Sequence, residues 1–368
     1  VIRTNNFILL NQLNYLLLSN ANIDILEPNA FAGLVNLENL DLSSNQLKII
    51  QNGTFQELSK LKRLSLTNCK IFTLKESAFI GLTSLEFLYL NLNNILRIQN
   101  YTFKGLFKLK NLDLMNSRVQ LIESSAFDDL VSLESLYLRY NNIKRIFNNT
   151  FLQMSKLKNL YLKQIQLKTL EPDSFKGLNS LENLELYDNS IKVRPCNLFQ
   201  SLNRIRKLDM NAINIEIIDP FALNGLTSLE SLILSTNNIK ILKNSTFQSL
   251  AKLKKLFLFL SRIEWIESHA FEGLISLEEL DLDQNSIGVL KNYMFKSMSL
   301  LKKIYIKKST IEIIESEAFN GLISLETISL ESNSVRVLGQ QMFRHLIKLQ
   351  FLNAIESNIV VIEPGVFG

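Results

Sequence analysis

Cysteine and histidine are nearly absent from this 368-residue chain, with two of each. Cys69 and Cys196 cannot build a disulfide framework, and His269 and His345 cannot build a metal cluster. Glycine and proline are scarce too, at 12 and 5 residues. Loop-rich domains use more of both, so the shortage implies turns of one repeated kind. No long apolar run occurs: the longest uncharged stretch, Thr4 to Ile23, carries six Asn and is no transmembrane helix. The absence of a signal segment and of an initiating Met leads to the expectation of a mature or excised segment. Neither sign of charge dominates, since 40 basic against 35 acidic residues leave +5. That balance does not by itself argue for nucleic acid or a membrane surface. What the chain has in quantity is apolar side chains, 46% of the total, which excludes a disordered chain.

Those apolar residues recur with a fixed step. Leu40/Leu42, Leu64/Leu66, Leu88/Leu90 and Leu112/Leu114 continue a series of L-x-L pairs from Leu16/Leu18 to Leu352/Ala354, every 24 residues, through fifteen units without insertion or deletion. A Phe column from Phe7 to Phe367 keeps the same step, with Leu223 the single departure. Alternation over L-x-L makes a short strand with one face buried. One unit cannot bury that face alone, so neighbours must stack, with parallel strands about 4.8 Å apart. The bulkier Phe return predicts a curved stack with the strands on the inside.

The segment Leu37 to Leu47, with Leu40, Leu42 and Asn45 in place, resembles the leucine-rich repeat L-x-x-L-x-L-x-x-N-x-L. With the trailing Ile50, Phe55 and Leu58 it is similar to the 24-residue extracellular class found in Toll receptors, chaoptin, Slit and lamprey variable lymphocyte receptors. The resemblance covers essentially the whole chain. It implies an α/β solenoid, a horseshoe with a parallel concave β-sheet, forming a single domain over residues 1–368. It also implies a concave face of the kind that commonly binds proteins. Both ends fall in mid-unit without the Cys-rich caps usual in that class, so a fragment of a longer ectodomain, or a molecule capped by partners, is expected.

Consecutive units differ, giving a super-repeat of 48. The residue after the leading Leu alternates between acid and base: Glu38, Lys62, Glu86, Lys110, Glu134, Lys158. This reads as a register-fixing charge ladder. The Asn column alternates as well: Asn45, Asn93, Asn141, Asn189, Asn237, Asn285 and Asn333 are interleaved with Cys69, Ser117, Ile165, Ile213, Ser261, Ser309 and Ser357. Ile165 and Ile213 cannot donate, so the middle of the chain is expected to have the least satisfied ladder. Cys69 reads as a buried structural thiol.

Nothing here supports catalysis. No Ser/His/Asp or Cys/His arrangement can be assembled, there is no Gly-rich phosphate loop, and no cofactor is expected. Four sequons, at Asn52, Asn100, Asn148 and Asn244, share one column of the super-repeat. They read either as N-glycosylation on the convex side of a secreted protein or as copies of one Asn-x-Thr turn, and the resemblance favours glycan. On the expected concave face, Asp113, Tyr137, Arg139, Tyr140, Tyr161, Lys163, Glu185, Tyr187 and Asp188 form a Tyr- and Arg-rich cluster of hot-spot composition. Ile233, Phe257, Phe259 and Leu260 make a second, apolar patch. The basic run Lys302 to Lys308 reads as paired charge, with Glu279 beside Lys303 and Asp283 and Glu331 beside Lys307, so no nucleic-acid role is expected.

The repeat breaks once. Arg194 stands in an otherwise apolar column, followed by Pro195 and Cys196, and Ile213 and Leu223 depart from consensus in the next unit. Arg194 is expected to swing outward with Val193 taking its core place, and both Cys are expected to be free, being far apart along the stack. Taken together, the residues point to a non-enzymatic, secreted or extracellular recognition module binding a protein partner on its concave face, of innate-immune, adhesion or effector type. A structural protein stacking end to end, or an intracellular scaffold or inhibitor, is the alternative.

Overall fold

A computed structural model describes residues 1–191 and 198–367. It divides into two compact units, Val1–Glu185 and Leu186–Gly368. Each is a solenoid of three-residue parallel strands. In the first unit they run from Tyr15–Leu17, Asn39–Asp41 and Arg63–Ser65 through to Asn183–Glu185. In the second they run from Lys207–Asp209 and Ser231–Ile233 to Phe351–Asn353. The register is the 24-residue step itself: Leu40 pairs with Leu64, Leu136 with Leu160, and Leu256 with Leu280. Among the described residues no helix forms, and the part that the α/β class allots to helix is filled by turns. Two-residue strands such as Arg145–Ile146 and Trp265–Ile266 pair beside these turns in small sheets of two.

The core follows from the columns. Leu40, Leu64, Leu88 and their successors are buried, and behind them the Phe rings stack from Phe7 to Phe151 in the first unit and from Phe247 to Phe367 in the second. Centroid spacings lie between 5.6 Å (Phe343–Phe367) and 6.3 Å (Phe127–Phe151), within the range of favourable offset stacking. Leu223 and Ile213 are buried in their columns despite the change of residue. Gly81, at φ +95°, shows why a side chain is excluded there: a Cβ would lie 2.2 Å from the Gln56 carbonyl oxygen.

One Asn serves two repeats. The Asn93 side-chain amide donates to the Leu66 and Leu90 carbonyls, both at 2.8 Å, and its Oδ1 accepts from Cys69 N–H and Ile71 N–H. Asn141, Asn237, Asn285 and Asn333 repeat the pattern. A clamp every 48 residues therefore reaches the end of every strand it flanks. The intervening Ser residues only add a second donor, as Ser117 does to the Leu90 carbonyl at 2.8 Å. The Ile165 and Ile213 side chains carry no donor, so the middle lacks the second donor that Ser supplies elsewhere, yet the carbonyls of Leu138 and Leu186 still hold amide donors from Asn141 and Asn189. Cys69 is fully buried, its thiol 3.0 Å from the Leu42 carbonyl, and burial pushes it up to about 11, as befits an inert thiol.

The charge ladder is present as ion pairs, Lys62–Glu38, Lys110–Glu86, Lys158–Glu134, Lys254–Glu230 and Lys302–Glu278, each Lys reaching the Glu one repeat before it. Lys307 lies 3.7 Å from Glu331 and donates its backbone N–H to Asp283. Glu279 stands in register with Lys303 as expected but takes its ion pair from Lys255, on the other side, at 3.2 Å. The expected outward turn at Arg194, with Val193 in the core and Cys196 free, lies outside the described residues.

Candidate functional site

The exposed face of each strand carries the residues between and after the buried leucines. In the first unit these build one connected constellation. Parallel register sets Tyr137 beside Tyr161 and Tyr161 beside Glu185. The two Tyr rings stack at 4.8 Å with 18° between planes. Arg139 leans across the neighbouring strand: its guanidinium carbon lies 4.2 Å over the Tyr161 ring, and it grips Glu185, 46 residues on, with bonds of 2.7–3.0 Å to both carboxylate oxygens. A bidentate pair beneath a stacked ring is rigid, because the fork geometry and the ring plane each fix the guanidinium.

Asp113 closes the other side. It sits in register with Tyr137 and accepts the Met115 N–H at 2.9 Å, and burial holds its carboxyl above the usual aspartate range against the pull of that bond and of Arg139. Burial and the neighbouring Tyr137 likewise raise the Tyr161 hydroxyl. Tyr140 leaves the strand at φ +61° and is 44% exposed, with Lys163 Nζ 5.8 Å from its ring centroid. The equivalent positions Asn68 and Asn116 show the residue type that suits this left-handed backbone, and a bulky ring is a costly substitute. Leu92 and Leu260 occupy the same column, also exposed and also left-handed.

The structure therefore brings Asp113, Tyr137, Arg139, Tyr161 and Glu185 together, with Tyr140 and Lys163 adjoining. Tyr187 and Asp188 belong to the second unit, where the Asp188 N–H donates to the Asn211 carbonyl. Ile233 and Phe257 pair in register there, half-buried, with Phe259 half-buried and Leu260 exposed beside them. In the sequon column, Asn52, Asn148 and Asn244 are exposed and Asn100 half-buried. The Oδ1 atoms of Asn100, Asn148 and Asn244 accept N–H groups of the next repeat, Ser125, Asp173 and His269. Asn292, which lacks the sequon, makes the same bond to Glu317. The bond is a feature of the scaffold, and it engages the amide oxygen. Among the described residues no group of three His, Cys, Asp or Glu is placed to hold a metal, and no helix is long and apolar enough to cross a membrane.

A contact that composition alone does not reveal is the Arg139–Glu185 clamp. The signal is a reach across two repeats, visible only when the 24-residue columns are laid side by side. A further exposed column, Ile217 to Val361, is also absent from the expected sites.

The period, the parallel register and the Asn clamp are repeat properties, and the comparison with known families agrees with them. The profile of the BspA type Leucine rich repeat region (6 copies) matches residues 73–196 and 256–368. The Leucine rich repeat profile matches 1–47, 11–71, 36–95 and 203–263. The chain belongs to the leucine-rich repeat family. Among solved structures, this leucine-rich repeat protein is similar to TLR13 in its complex with ssRNA13, at 28% identity and TM-score 0.66, covering 94% of this chain and 49% of that one. It shares its fold with Drosophila Toll in the Toll–Spatzle complex (23% identity, TM-score 0.81, 90% and 46% covered). The fold recurs in a leucine-rich repeat protein of Leptospira interrogans (22%, 0.64, 95% and 91%). The repeat is thus of the Toll-like type, and the chain spans about half the length of the TLR13 and Toll chains. No curated protein sequence matches it.

Proposed function

We propose that this leucine-rich repeat protein is a non-enzymatic recognition module, of innate-immune, adhesion or effector type. It binds a protein partner on the strand face of residues 1–185. The observation that carries this reading is the Tyr137–Tyr161 stack held under Arg139, itself locked to Glu185. Aromatic and Arg side chains fixed before binding lose little conformational freedom when a partner arrives. Tyr140, displayed from a strained backbone position, extends the same surface. Tyr187, Asp188, Phe257 and Phe259 are proposed as further contacts. The exposure of Asn52, Asn148 and Asn244, with Asn100 half-buried in the same column, supports glycosylation and hence a secreted or extracellular setting.

Tyr137→Ala with Tyr161→Ala is expected to weaken partner binding by about 2 kcal/mol or more. Pull-down with mass spectrometry identifies the partner, and titration against wild type and variant reads the loss. Unchanged affinity in the double variant overturns the strand-face assignment. TLR13 is seen with ssRNA, so single-stranded RNA is titrated in parallel. Tight RNA binding with a steep salt dependence, indifferent to the Tyr substitutions, would replace the protein partner with a polyanion.

A further inference from the structure

The second unit carries an exposed apolar ladder that the strand face does not use. Ile217, Ile241, Trp265, Val289, Ile313, Val337 and Val361 stand in one column, one per repeat, with Lys291 Nζ 3.4 Å from the Trp265 ring centroid. All but Val289 are between 43% and 55% exposed. Ile241 pairs with Trp265 and Val289 with Ile313 in parallel register. In the first unit the same column holds Arg97 and Arg145, paired with Glu123 and Glu171. The second unit keeps the carboxylates, Glu267 and Glu315, but replaces the cations by Ile241 and Val289. Glu267 and Glu315 each accept a backbone N–H, from Asn244 and Asn292, and have no ion pair among the described residues. The exposed ladder amounts to roughly 500 Å² of apolar surface, as large as the biggest patch on an ordinary monomer and enough for the apolar centre of a standard interface.

The charges flanking the ladder name its occupant. The row on one side reads Glu216, Lys240, Glu264, Gly288, Glu312, Arg336, and the row on the other runs Lys243, Glu267, Lys291, Glu315. Both alternate in sign, the first with neutral Gly288 between Glu264 and Glu312. Turning a second copy about a two-fold axis that passes between the Trp265 and Val289 repeats sets Trp265 on Val289, Ile241 on Ile313 and Ile217 on Val337. The same operation sets Glu216 against Arg336, Lys240 against Glu312, Lys243 against Glu315 and Glu267 against Lys291. Every charged pair is opposite in sign. Moving the axis onto a repeat, through Val289, sets Glu264 against Glu312 and Lys240 against Arg336. Laying the copies so that repeats face their own equivalents sets Lys240 on Lys243 and Glu312 on Glu315. Like charges in register are repulsive, so these arrangements are selected against; the axes one repeat to either side also bring opposite charges together but form three such pairs among the described residues, against four here. We infer that the chain forms an isologous dimer through this side of residues 186–368, antiparallel, with its axis between the Trp265 and Val289 repeats.

Sedimentation velocity on the whole chain across a dilution series tests this. A monomer–dimer equilibrium is expected, weakened by salt. Ile241→Arg restores the residue type that Arg97 and Arg145 show to be compatible with the fold, and it should weaken the dimer at least tenfold. Lys240→Glu and Glu312→Lys should each weaken it about tenfold, and the double reversal should recover the wild-type constant to within about threefold. Far-UV circular dichroism checks that each variant is folded. Tyr137→Ala with Tyr161→Ala should leave the dimer unchanged, which separates this interface from the strand-face site. A chain that stays monomeric throughout, a dimer indifferent to Ile241→Arg, a double reversal without recovery, or a dimer abolished by the Tyr changes overturns the proposal.

Discussion

The two units share a scaffold and differ in what they display on it. Phe103 and Phe295 sit in equivalent stacks, both buried. Asn141 and Asn285 make equivalent four-bond clamps. The outward columns diverge. On the strand face the first unit stacks Tyr137 on Tyr161, where the second has Asp281 next to Tyr305 in register. On the side, the first unit neutralises Glu123 and Glu171 with its own Arg, and the second leaves Glu267 and Glu315 beside bare Ile and Val. Positions that touch a neighbouring repeat are constrained by stacking. Positions that touch only solvent are free to specify partners, and it is there that the halves part company.

If the scaffold is common, injuring it should hurt both units alike. Phe103→Ala and Phe295→Ala should each cost about 3–5 kcal/mol, from lost burial and the cavity left in the stack. Urea unfolding measures it, and a much smaller loss in one unit would show that the stacks are not equivalent. The next effect in size is loss of a clamp. Asn141→Ala and Asn285→Ala should each cost about 3 kcal/mol, since two buried carbonyls and two N–H groups lose a partner. Ser117→Ala and Ser309→Ala should cost about 1 kcal/mol or less, because the Leu90 and Leu282 carbonyls keep their donors from Asn93 and Asn285. Equal losses at Asn and Ser would refute the two-repeat clamp.

A smaller effect should separate the units by pH. Burial pushes Asp283 up to about 6, with the neighbouring Asp281 adding to the shift. A carboxyl raised in the folded state favours folding when protonated, so its contribution is full below the ordinary aspartate range and is lost as pH rises through about 6. Glu123 and Glu171 are held low, chiefly by the Asn100 and Asn148 N–H groups and by their Arg partners. Their contribution is present above the usual glutamate range and is lost as pH falls through their lowered values. Asp283→Asn keeps an acceptor for Lys307 N–H and should stabilise the protein by about 1–2 kcal/mol at pH 8, with no gain at pH 4. A gain that is the same at both pH values would mean that Asp283 is not strained by ionisation.

The repeat, its register and the buried columns were legible in the residues because one 24-residue step dictates all three. The Tyr and Arg cluster was legible as composition. The Arg139–Glu185 clamp was not, since a long side chain that passes over its nearest neighbour obeys rotamers and reach, not periodicity. The same holds for Glu279, which has a Lys on either side and turns to Lys255. The apolar side column of the second unit was readable with the same ruler. Exposed apolar residues in one outward column do not differ in sequence from ordinary surface residues until the structure shows them side by side.

The two-repeat clamp sets a quantum for lineage and for engineering. Removing 24 residues so that a Ser-type unit abuts an Ile-type unit would join two turns with no amide between them, and would bring like charges together in the Glu/Lys ladder. Removing or copying 48 leaves each junction with the bonds it had before. Length variants of this chain, natural or built, should therefore differ by whole pairs of repeats, and a shortened version should be cut two turns at a time.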